Sequence, residues 1–73
     1  FLALGLSERR FKRDIALVGR APDGLGIYDF RYVWDDDAQP LRRGTMVDEV
    51  ERLRPWALGP VLGGFRTVNY GAL

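Results

Sequence analysis

The alternation Tyr28-Asp29-Phe30-Arg31-Tyr32-Val33-Trp34 constrains this chain more than any other feature, because side chains two residues apart lie on one face of a strand. The stretch from about Leu25 to Trp34 therefore reads as a strand whose even positions, Tyr28, Phe30, Tyr32 and Trp34, form an aromatic face. Asp29 and Arg31 point the other way. Aromatic rings beside arginines also make a platform on which bases stack. At period two, though, they are more often the core side of a sheet, and a face this large has to be covered.

The cover is legible downstream. Met46, Val47, Val50 and Leu53 recur as an i, i+1, i+4, i+7 apolar stripe, and Pro55 stops the helix at Arg54. Thr45 as N-cap with Asp48 three residues on is a near capping box. Asp48, Glu49 and Glu51 toward the front and Arg52 and Arg54 at the back match the macrodipole. This helix is expected on the aromatic face.

Phe11 to Val18 reads as another strand, with Phe11, Ile15 and Leu17 on one face and Lys12, Asp14 and Val18 on the other. Pro22-Asp23-Gly24 is a turn. Asp35 to Arg43 reads as a polar loop; consecutive aspartates do not converge as calcium ligands do, so pairing with Arg42 and Arg43 is the expectation. Trp56 to Leu62 and Phe65 to Asn69 are extended segments around a Gly63-Gly64 hairpin turn, with Pro60 marking an edge. The expected fold is α+β: a small, mostly antiparallel sheet of three or four strands with one packed helix.

Seventy-three residues make one domain, and a chain this short buries only about 60% of its unfolded surface. With no cysteine and no histidine, neither a disulfide nor a zinc site can staple it, which leaves self-association. No cofactor is indicated. Eleven Lys+Arg against ten Asp+Glu are interspersed, unlike the one-signed patch of a nucleic-acid binder. No apolar run is long enough to span a bilayer, and Phe1 to Leu6 is too short and lacks the charged flank of a signal peptide. Neither a nucleic acid nor a membrane is thus an expected partner. Since Met46 is the only methionine, the chain from Phe1 reads as a piece of a longer product.

Chemistry concentrates in Ser7-Glu8-Arg9-Arg10-Phe11-Lys12-Arg13-Asp14-Ile15, which holds both the only serine and the only lysine. Arginine keeps its proton near neutral pH, whereas a desolvated lysine can lose it, so Lys12 is the only basic side chain able to act as a general base. A serine activated by a lysine amine is a known nucleophile arrangement. The plainer alternatives are that Ser7 N-caps a turn over Glu8 to Arg10 and that Lys12 is a solvated cation. The two side chains meet only if the chain bends between them.

The run S-E-R-R-F-K-R-D-I resembles the S-D-x-R-x-K-x-N-I signature that opens the intramolecular chaperone auto-processing domain of phage tail fibres and endosialidase tailspikes. Leu25 to Tyr32 resembles its aromatic strand, Gly44 to Glu51 its G-x-x-A-Q-E-V-E helix start, and Val68-Asn69-Tyr70-Gly71-Ala72-Leu73 its closing V-D-Y-S-x-L. The four motifs fall in the family's order across residues 7 to 73, leaving 1 to 6 as the end of an upstream fibre or spike segment. The resemblance implies a homotrimerising chaperone within a virion fibre or spike precursor made in the bacterial host cytoplasm. It also implies a serine endopeptidase acting once on its own chain, in which Ser7, assisted by Lys12, attacks the carbonyl of Leu6 and breaks Leu6-Ser7. The alternative is a non-catalytic assembly or receptor-binding tip of the same fold. Two departures are Glu8 for aspartate and Asp14 for asparagine. In an extended strand Asp14 would share the face of Lys12 and favour its charged form.

Overall fold

The computed structural model describes residues 4–73. The aromatic alternation forms β3, Gly26–Tyr32, the middle strand of an antiparallel three-stranded sheet between β2, Lys12–Arg20, and β4, Arg42–Gly44. Tyr28 and Phe30 are buried with Met46, and Ile15 and Tyr32 pack against them. Trp34 lies past the strand end, 56% exposed, its ring stacked on Tyr32 at 4.7 Å.

β4 emerges from the segment expected to be loop throughout. It forms because Arg43, opposite Asp29 in the register, pairs with that carboxylate at 2.8 Å, a charged cross-strand pair. Arg42 turns back to Asp35, donating to both carboxylate oxygens at 2.7 and 3.0 Å. Of the neighbouring aspartates, Asp37 pairs with Arg13 instead.

The helix α1, Val47–Leu53, ends at Arg54 before Pro55 as the sequence dictates. Its stripe divides between two clusters: Met46 joins the aromatic one, while Val47 and Val50 pack with Leu25, Ala57 and Val68. The capping box is not made. Met46 occupies the N-cap position without a side-chain bond, and Thr45 Oγ1 is buried with no hydrogen-bond partner among the described residues. The free Val47 N–H is instead satisfied by the carbonyl of Ser7 at 2.9 Å. Glu49 ties α1 to β3, accepting from the Gly26 N–H at 2.9 Å and from the Tyr28 hydroxyl.

A second, two-stranded sheet pairs β1, Leu4–Leu6, with β5, Thr67–Asn69, antiparallel. The α+β class stands, with the strands shared between two antiparallel sheets. Gly63 and Gly64 take φ of 58° and 83° in a two-residue turn closed by reciprocal bonds between Leu62 and Phe65, each 2.9 Å. The expected strand from Trp56 to Leu62 is replaced by a 3₁₀ turn, Pro55–Ala57, and by isolated bridges of Leu58 with Val68 and Leu62 with Phe65. Proline at both 55 and 60 removes ladder donors there. Of the six residues before Ser7, Leu4–Leu6 form this edge strand, and Phe1 to Ala3 lie outside the described residues. No helix among the described residues is long and apolar enough to cross a membrane.

Candidate functional site

Ser7 leaves β1 and is fully buried. It is not an N-cap: the following 3₁₀ turn is Arg9–Phe11, capped at Glu8 without a side-chain bond. Its hydroxyl instead donates back to the Gly5 carbonyl at 3.1 Å and lies 3.4 Å from the Tyr70 hydroxyl. The turn supplies the bend that carries the chain from Ser7 into β2.

Lys12, the first residue of β2, is only 6% exposed, which overturns the solvated-cation reading. Its Nζ donates to the Thr45 carbonyl at 2.7 Å, approaches Met46 Sδ at 3.8 Å and lies 4.6 Å from the centre of the Phe30 ring. Burial lowers its pKa from 10.5 to about 8; the nearby Arg9 charge pushes the same way and Asp48 opposes. A fraction of the amine is thus neutral near pH 7.

Asp14 does not share this face. It has a φ of 54°, and the register slips between Arg13 and Ala16, so a bulge reverses the alternation after Lys12. The Asp14 carboxylate bonds outward to Arg13 at 2.8 Å and Arg31 at 3.3 Å. Ile15, not Asp14, joins Lys12 on the core side.

Ser7 and Lys12 converge on one short segment. Lys12 holds the Thr45 carbonyl, the Ser7 carbonyl accepts from the Val47 N–H, and the Tyr70 hydroxyl, beside Ser7 Oγ, accepts from the Thr45 N–H at 3.4 Å. Among the described residues no hydrogen bond joins Ser7 Oγ directly to Lys12 Nζ.

Two phenols complete the site. The Tyr32 hydroxyl donates to the Leu6 carbonyl at 3.0 Å. Burial, then the neighbouring Tyr70, raises the Tyr32 pKa, so it stays a proton donor. Tyr70 depends on two glycines: a Cβ on Gly5 would come within 2.5 Å of its ring, and one on Gly44 within 2.6 Å of its hydroxyl. Sequence reasoning placed Tyr32 only on an aromatic face and Tyr70 only in a closing motif. The available signal was that a buried tyrosine hydroxyl needs a partner.

No family model, no curated protein and no solved structure matches this chain.

Proposed function

We propose that this chain is a self-cleaving assembly domain of the intramolecular chaperone auto-processing type. It brings the chains of a phage-type tail fibre or spike together as a trimer, then cuts Leu6-Ser7. The observation that carries the reading is that the only serine and the only lysine, both buried, are anchored on the same Thr45–Val47 segment, with the lysine pKa lowered to about 8.

In the reaction, neutral Lys12 takes the Ser7 hydroxyl proton as Oγ bonds to the Leu6 carbonyl carbon, whose π pair moves onto oxygen. Collapse breaks the bond from Leu6 carbon to Ser7 nitrogen. The departing nitrogen receives the proton from Lys12, leaving a Leu6–Ser7 ester. Water then hydrolyses the ester to a Leu6 carboxylate and restores the hydroxyl. Trimer assembly would move Lys12 Nζ from the Thr45 carbonyl to Ser7 Oγ.

The missing direct bond between those two atoms favours the second reading, a non-catalytic assembly or receptor-binding tip with the same fold. Intact mass after incubation of the wild-type chain and Ser7→Ala decides between them. The self-cleaving reading expects a fragment beginning at Ser7 from wild type alone. Absence of that fragment in the assembled wild type establishes the tip reading, and its appearance in Ser7→Ala removes Ser7 as nucleophile.

A further inference from the structure

Resting on the proposed scission of Leu6-Ser7, we infer that Tyr32 is a catalytic residue, its hydroxyl being the donor that stabilises the oxyanion formed on the Leu6 carbonyl. The phenol is already 3.0 Å from that oxygen, within the reach an oxyanion donor requires.

Three features hold it there. Tyr32 closes β3 opposite Lys12 in the register, so donor and base are fixed by one cross-strand pair. Its ring is clamped between the Phe30 edge, with centroids 5.2 Å apart, and the stacked face of Trp34. Its backbone N–H donates to the Asp35 carboxylate at 3.0 Å, which in turn is gripped by Arg42. The Arg42 guanidinium also lies 5.0 Å from the centre of the Tyr32 ring.

The proton stays on Tyr32 throughout. As Ser7 Oγ bonds to the Leu6 carbon, the carbonyl π pair becomes a full negative charge on oxygen, and the existing hydrogen bond shortens onto it. As the bond to the Ser7 nitrogen breaks, the π pair returns and the bond relaxes. Lys12 alone carries a proton between atoms. The buried setting of Ser7 strengthens the phenol's effect, because little water competes for the developing charge.

Tyr32→Phe keeps the ring and removes the donor. The expected result is a fall of about 10²- to 10³-fold in the rate at which the fragment starting at Ser7 appears, with the pH midpoint of the rate unchanged. Circular dichroism checks that the variant is folded. If wild type cleaves and folded Tyr32→Phe cleaves at the same rate, the assignment of Tyr32 is overturned while the scission stands. If wild type does not cleave, both fall. A reading independent of cleavage comes from Ser7→Ala carrying a ¹³C=¹⁸O label at Leu6. Adding Tyr32→Phe should move the labelled infrared band to higher frequency, and an unmoved band means that the phenol does not polarise the carbonyl.

Discussion

Lys12 and Asp14 stand two residues apart in β2 yet face opposite ways, the amine buried on the Thr45 carbonyl and the exposed carboxylate paired with the half-buried Arg13 and Arg31. The left-handed backbone of Asp14 makes the difference, at a φ of 54°. Regular alternation would have put a carboxylate beside the proposed base and held it charged.

This geometry predicts two outcomes at position 14. Asp14→Asn, whose side chain also tolerates the left-handed region, should leave the pH midpoint of cleavage where it is. Asp14→Val should destabilise the chain by about 1–2 kcal/mol, because a β-branched residue is strained there. Urea unfolding and a cleavage pH profile check both, and a shifted midpoint in the asparagine variant would show that the carboxylate does reach Lys12.

Lys12 should also write itself into stability against pH. Its pKa is 10.5 in the unfolded chain but about 8 in the fold, so between these values the unfolded state holds the extra proton. Stability therefore rises with pH across that window and is lower below about 8, by roughly 3 kcal/mol in full. Lys12→Met should abolish this rise and stop cleavage. Denaturant midpoints of both proteins from pH 7 to 11 test it; equal slopes would mean that Lys12 titrates normally.

Glu49 is a buried carboxylate holding the Gly26 N–H and the Tyr28 hydroxyl, with Arg9 3.8 Å away. Glu49→Ala strands both donors, at about 1–3 kcal/mol each. The expected loss of several kcal/mol by chemical unfolding is large for so small a chain. A loss under about 1 kcal/mol would mean that water replaces the carboxylate.

Trp56, Val61 and Leu62 are 66%, 64% and 50% exposed, an apolar surface next to a small core. The chain is expected to sediment as a trimer, and Val61→Asp to shift it toward monomer. A folded wild-type monomer at high concentration would remove the trimer from the proposal and leave the fold as it is.

How much of the fold is legible in the sequence depends on which forces are periodic. The aromatic strand, the Met46–Leu53 stripe, its stop at Pro55 and the Gly63-Gly64 turn all rest on local spacing or a fixed φ, and all are found. β4 was not legible, since Arg42 and Arg43 become a strand only through Asp35 and Asp29, residues from other parts of the chain. The expected Thr45 cap failed for the same reason: the Ser7 carbonyl, distant in sequence, satisfies the helix first. Ser7 and Lys12 stood out by being unique. Tyr32 did not, because nothing local tells a phenol that stacks from one that also donates.

β1 carries a consequence for the fate of the chain after a cut at Leu6-Ser7. In the intact chain Leu4–Leu6 is paired along β5, from Leu4 opposite Asn69 to Leu6 opposite Thr67. Breaking the peptide bond turns that strand from a tethered segment into a bound peptide, and removes the millimolar effective concentration that a short tether supplies. A two-stranded ribbon is marginal alone. The lifetime of the severed assembly is then an off-rate, set by how quickly three residues peel from an edge rather than by the chemistry that cut them.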